Sequence, residues 1–387
     1  MNMSDSSQQP AASSQQPAAS CQLPAAENDR DPVEKFRAVV ADIRDEYLSA
    51  AQTYPWIIGY SGGKDSTLVT HAIFAALLSI EPSRRTRPVH LVSNDTLVES
   101  PLVVAHLKQS QDAIALASAN LGLPVTVAST HPDIEQSFWV NLIGRGYPTP
   151  NQTMRWCTDR LKIQPTSRYI LDFVSRCGAA IVVLGVRLDE SQSRRSAINR
   201  RVNLADTHLT PHSELPGAFV YRPIVELTTD DVWEILACHT PPWGGSHGAL
   251  IRLYRDAEGG ECPIVLSKAE APGCGTNSSR FGCWTCTVVE KDRSLQGFVD
   301  SGQVGYLPLI AFRDWLKSIR NDTALRQVAR RNGRISFNAE GRHIPGPFTV
   351  QARRMIFDRL LATQYEFGAP LIARRRFRRS AGYGQKT

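Results

Sequence analysis

The stretch "WIIGYSGGKDSTL" sets an apolar run, a double glycine and a helix-forming segment end to end. Trp56, Ile57 and Ile58 read as a buried strand, expected over 56–60, and Leu68, Val69, Ala72, Ile73, Ala76 and Leu77 as a helix, expected over 64–79. Between them Gly62 and Gly63 let the backbone turn sharply and come close to a ligand. A turn that opens a helix leaves backbone N–H groups unpaired and carries about half a positive charge, so it is an anion site. Ser61 and Ser66 add donors and Lys64 adds charge. Asp65 would repel a phosphate unless a divalent cation intervenes, which points to Mg²⁺. A Walker loop needs four residues between its first glycine and Gly-Lys, then Ser or Thr. Here Gly59 and Gly63 are too close, and Asp65 follows the lysine.

Further apolar runs alternate with helical stretches. Strands are expected at "VHLVSND", "PVTVAST" and "AAIVVLGV". Helices are expected over 100–122, 133–143, 163–178 and 228–236, with another leading into the first strand from residue 33. That alternation predicts an α/β fold: a parallel sheet with helices on both faces. Ligands in such sheets bind beyond the carboxyl ends of the strands. The polar stretches fall there: "SNDTLVESP" with Asp95, "RWCTDRLKIQP" with Arg155, Asp159 and Lys162, and "GVRLDESQSRR" with Gly185, Arg187, Glu190 and Arg194. Arg155, Lys162, Arg187 and Arg194 together suit a polyanion, with Glu190 and Asp159 orienting them.

After "DVWEIL", whose apolar residues read as core, periodicity fades through residues 240–290. Four of the 8 cysteines crowd there as Cys262-x11-Cys274-x8-Cys283-x2-Cys286, while Cys21, Cys157, Cys177 and Cys238 are scattered. Crowded thiols read as metal ligands, and spacing alone leaves zinc and an iron–sulfur cluster open. Helical regions are expected over 308–331 and 349–364. From residue 311 onward there are 17 Lys and Arg against 5 Asp and Glu, in a chain whose net charge is +7. Such asymmetry predicts a polyanion partner. The repeated "SSQQPAA" of the first 30 residues predicts a disordered tail, and "RRRFRRSAGYGQK" a basic one. With no apolar run near the roughly 20 residues of a membrane span and no leader pattern, the expectation is a cytoplasmic protein with no membrane partner.

"SGGKDST" resembles the PP-loop of the N-type ATP pyrophosphatases. With the later motifs in their order, the chain is similar to the PAPS reductase-like branch of that family, over roughly residues 35–300. The cysteine-rich insert after "DVWEIL" resembles the DndC-type iron–sulfur ATP pyrophosphatases of DNA phosphorothioation, with SspD-type proteins as relatives. That resemblance implies ATP as substrate, cleaved to AMP and pyrophosphate, and a [4Fe–4S] cluster on Cys262, Cys274, Cys283 and Cys286. It implies Mg²⁺ on Asp65 and catalytic roles for Asp65, Lys64, Arg155 and Lys162. ATP would be held by Ser61, Gly62, Gly63, Lys64, Asp65, Ser66, Asp95, Gly185, Arg187, Glu190 and Arg194. Expected partners are DNA, a cysteine desulfurase as sulfur donor and other phosphorothioation proteins. The implied organisation is a tail over 1–30, the PP-loop domain over 31–239, the cysteine-rich segment over 240–300, a basic helical region over 301–373 and a basic tail over 374–387. A tRNA thiolase, a PAPS or APS reductase-like enzyme and a non-enzymatic zinc DNA-binding module are the rival readings. No terminal "ECG" of the PAPS reductases is present.

Overall fold

The computed structural model describes residues 31–49, 53–190, 209–257, 259–260 and 279–368. Within them lies a six-stranded sheet. Its strands are β1 (Trp56–Gly59), β2 (Val89–Asn94), β3 (Val125–Thr130), β4 (Ala180–Val183), β5 (Thr210–Pro211) and β6 (Ala218–Tyr221), in the order β3-β2-β1-β4-β6-β5. Every pairing is parallel except β5 on β6. The central strand β1 aligns Trp56 with both Val89 and Ile181. Alternation does the packing. Trp56 and Ile58 face one layer with α1 (Pro32–Leu48) and α2 (Lys64–Leu78), while Ile57 faces the other with Ile170 of α4 (Gln164–Cys177). Helix α3 (Pro101–Asn120) packs beside β3, and α5 (Thr229–Cys238) against α1 and α2. The parallel α/β sheet with helices on both faces is the fold expected from the sequence. β2 and β4 flank β1 on opposite sides, so the chain reverses its direction across the sheet between β1 and β4, a switch point where α/β sheets place ligands.

Three departures matter for the site. β4 stops at Val183, short of the expected Val186, because Gly185 lies against the first turn of α2. A Cβ on Gly185 would meet the Asp65 carbonyl carbon and oxygen at 2.9 Å. The segment over 240–300 is less irregular than its sequence suggests: it contains α6 (Gly248–Ala257) and α7 (Arg293–Asp300), which pack on each other. The expected basic helical region holds α8 (Leu307–Ile319) and α9 (Val350–Phe367), but between them the only helical piece among the described residues is a single 3-10 turn, Thr323–Leu325. The same stretch carries a two-stranded antiparallel ribbon, Ser336–Phe337 against His343–Ile344. No helix among the described residues is long and apolar enough to cross a membrane.

Candidate active site

The turn after β1 caps itself. Gly62 adopts φ +75°, the left-handed region open to glycine, and a Cβ there would meet Leu107 of α3 at 3.1 Å. The Ser66 hydroxyl donates to the Gly63 carbonyl (3.0 Å) and accepts from the Ser61 amide (3.2 Å); the two serine hydroxyls are 3.1 Å apart. The Gly63 amide donates to the Ser61 hydroxyl (3.4 Å), and the Lys64 amide to the Tyr254 hydroxyl of α6 (3.3 Å). A small pocket opens beside this turn. Ser61, Gly62, Gly63, Glu99, His106 and Phe281 are among its walls. His106 has its Nε2 3.2 Å from the Gly62 carbonyl, and burial holds its pKa below the ordinary histidine value although that contact favours the proton.

Lys64 and Asp65, next in the turn, are not among the residues that line that pocket. Asp65 is 4% exposed; its Oδ2 accepts from Lys64 Nζ at 2.7 Å and its Oδ1 from Arg187 Nε at 2.5 Å. Arg187, buried to 1% and one of the largest enclosed side chains, also donates to the Leu227 carbonyl (3.3 Å) and lies 3.6 Å from Asp189. The acid thus ties the glycine turn to the loop after β4 across the switch point. Both carboxylate oxygens are already engaged by cations, so Asp65 does not fit as an Mg²⁺ ligand in this arrangement. Among the described residues no group of three His, Cys, Asp or Glu is arranged to hold a metal ion.

The stretch "RWCTDRLKIQP", the second motif, meets the pocket through Glu99 of "SNDTLVESP". Lys162 Nζ lies 3.7 Å from Glu99, and the Asn94 amide at the end of β2 donates to the Leu161 carbonyl (3.0 Å). Asp95 accepts from the Leu97 amide (2.8 Å), which fixes Leu97 at φ +64°. Arg155 donates to the Gln152 carbonyl (3.2 Å) and Asp159 accepts from Gln164 (2.9 Å); neither they nor Asp95 and Lys162 form part of the pocket wall. Glu190 lies in a short helical turn, Leu188–Glu190. Arg194, like Cys262 and Cys274, falls outside the described residues. Sequence reasoning passed over His106, Tyr254 and Phe281. The last two lie where periodicity had faded, and only the fold brings α6 under the turn.

Cys283 and Cys286 share one tight turn, closed by the Cys286 amide on the Cys283 carbonyl (2.9 Å), and Cys283 bridges Glu99 through the backbone. Its sulfur is 3.4 Å from the Thr96 hydroxyl, and burial pushes its thiol pKa well up. The charge of Lys162 acts the other way, and Cys157, from the second motif, is close enough to act on it as well. Two thiols one turn apart, in a segment that borders the pocket, fit the donor set of an iron–sulfur cluster, with Cys262 and Cys274 beyond the described residues.

No protein-family model matches the sequence, and no curated protein matches it significantly. Among solved structures, the chain is similar to an FMN adenylyltransferase of Candida glabrata with FMN and an ATP analogue (13% identity, TM-score 0.34), covering 61% of this chain and 65% of that one. It is similar to a phosphoadenylyl-sulfate reductase of Candida auris (12%, TM-score 0.33; 55% and 87% covered). It is also similar to the U34-tRNA thiolase NcsA of Methanococcus maripaludis with its [4Fe–4S] cluster (11%, TM-score 0.34; 75% and 81% covered). The chain thus spans less than two thirds of the adenylyltransferase it matches. At these identities and TM-scores none of the likenesses assigns an activity.

Proposed function

We propose that this chain is an ATP pyrophosphatase of the PP-loop type that adenylates a backbone phosphate of DNA, so that sulfur can replace a non-bridging oxygen. The observation that carries the reading is the self-capped SGGKDS turn at the carboxyl end of β1, whose backbone borders the pocket while its acid is locked to the loop after β4. Such a turn takes the leaving pyrophosphate at the N-terminus of α2, with no side chain intervening at Gly62 and Gly63, once the Ser61, Gly63 and Lys64 amides exchange their present hydroxyl partners for it. A phosphate oxygen attacks the α-phosphorus of ATP, the new O–P bond forms, and the bond to the β-phosphate breaks to release pyrophosphate. A cysteine desulfurase supplies persulfide sulfur, which a thiol reductant converts to sulfide as two thiols leave as a disulfide; the sulfide then attacks the DNA phosphorus, the P–S bond forms and AMP departs with the former oxygen. Neither step changes oxidation state at phosphorus.

The chain's own residues have distinct parts in this scheme. Arg187 and Asp65 fix the turn, Glu99 and Lys162 join the second motif to the pocket wall, and Cys283 and Cys286 would hold the cluster. A cluster bound there would supply sulfur-handling chemistry in a segment that borders the pocket. The test is to supply the protein with ATP, DNA, cysteine, a desulfurase and a thiol reductant, and to search the nuclease digest for phosphorothioate-linked dinucleotides by mass spectrometry. Phosphorothioate in DNA supports the reading. Sulfur appearing in tRNA bases and not in DNA would replace it with tRNA thiolation.

A further inference from the structure

The arginines of the C-terminal region divide into two groups. Arg313, Arg320, Arg326 and Arg353 donate to main-chain carbonyls inside the protein: Cys286, Glu290, Pro150, Thr287, Gly346 and Ile143 are among their acceptors. These cations are committed to the fold and offer little to an external anion. Arg330, Arg334 and Arg342 are exposed instead, on the ribbon between α8 and α9. On the same ribbon Phe337 is 61% exposed and Ile335 56%. Phe337 pairs across the ribbon with His343, their rings 5.9 Å apart. The one acid of residues 328–344, Glu340, lies 3.6 Å from Arg342. An exposed aromatic ring amid arginines is a poor solvent-facing surface but a good platform for an unpaired base and its flanking phosphates.

The ribbon is also joined to the site. Arg331 donates to the Tyr147 hydroxyl (2.9 Å) and lies over its ring, and Arg160 of the second motif lies over the same ring, 5.1 Å from its centre. Two residues beyond Arg160, Lys162 reaches Glu99 on the pocket wall. We infer that the ribbon of residues 328–344 binds single-stranded DNA, with Phe337 stacked on a base and Arg330, Arg334 and Arg342 on phosphates, and leads the strand along Tyr147 and Arg160 toward the pocket. This rests on the proposed action on DNA and locates the surface that takes the strand. Exposed aromatics with phosphate-binding cations favour an unstacked strand over a closed duplex, which hides its base faces.

The experiment uses the full chain with a fluorescent single-stranded oligonucleotide, titrated at several salt concentrations. One variant carries Arg330→Ala, Arg334→Ala and Arg342→Ala, a second Phe337→Ala, and melting curves establish that both fold. Each lost phosphate contact flattens the slope of log affinity against log salt by about 0.7, so the triple variant should lose about 2. Phe337→Ala should weaken binding roughly tenfold with the slope unchanged. ATP turnover without DNA should stay as in the unaltered chain. Unaltered slope and affinity in both variants would overturn the inference while leaving the activity intact. Preference for RNA or for duplex over the single strand would overturn it too. Loss of AMP formation by the unaltered chain would instead count against the activity.

Discussion

The glycine turn and the C-terminal ribbon both carry cations, but they hold them in opposite states. At the turn, Lys64 and Arg187 are buried and share one carboxylate. On the ribbon, Arg330, Arg334 and Arg342 stand in solvent. A buried cation with a fixed partner sets geometry, because removing either partner leaves an uncompensated charge. An exposed one contributes little to stability and remains available to an external anion. The distribution of burial, more than the number of basic residues, therefore separates the part that shapes a site from the part that can recruit a polyanion.

The sharpest way to break this comparison is at Arg187. Arg187→Ala removes one of the two cations that meet the buried Asp65, and should cost about 3–5 kcal/mol of stability by denaturant titration. ATP turnover should vanish with it, since the turn loses its tie to the loop after β4. A folded Arg187→Ala protein with undiminished turnover would show that the lock is dispensable.

Arg313 tests the same rule within the basic region itself. Its side chain is fully buried and donates to the carbonyls of Cys286, Val289 and Glu290, which bind α8 to the turn that carries Cys283. Arg313→Ala should cost about 3 kcal/mol and lower the iron retained by anaerobically purified protein. Nucleic-acid affinity should change far less than in the ribbon variants. The reverse pattern would put Arg313 on the binding surface.

A smaller effect concerns the histidines behind the turn. His71 of α2 and His247 ahead of α6 are buried, with ring nitrogens 3.2 Å apart. Burial, followed by the charge of neighbouring histidines, lowers His71 to about 3 and His247 to about 4. Unfolded, both titrate near 6.5. Below that pH the unfolded chain takes up protons that the folded one refuses, so stability falls as pH drops from about 6.5 toward 4. The slope is at most about 1.4 kcal/mol per pH unit for each histidine. Melting temperatures between pH 7 and 5 should fall less steeply in His71→Gln; parallel curves would refute the assignment. At the weak end, Arg354 and Asp358 form an exposed pair one helical turn apart. Arg354→Ala should change stability by less than about 0.5 kcal/mol.

What the sequence made legible follows from its periodicities. Buried strands such as "WIIG" and "AIVV" are apolar throughout, and Thr228 caps α5 with Asp231 as a reciprocal box, so these elements lie close to where their residues place them. The glycine turn was legible because few residue types tolerate φ +75°. The ribbon was not, since two-residue strands leave no alternation to read. β6 escaped notice because "AFVY" is too short to stand out, and α6 because it begins at Gly248 after a glycine-rich stretch. The partners of Asp65 could not be read at all. Arg187 lies 122 residues away, and its place beside the acid depends on β4 lying next to β1. An acid after a lysine in a phosphate turn reads as a metal ligand until the fold supplies a second cation.

The central claim is that the turn after β1 holds pyrophosphate as a leaving group. It is tested most directly by incubating the protein with ATP labelled at the α-phosphate, with and without DNA, and separating the nucleotide products. Label should appear in AMP, free or still joined to DNA, with an equal amount of pyrophosphate released, and should be lost in Arg187→Ala. Label in ADP, with free phosphate as the co-product, would contradict it.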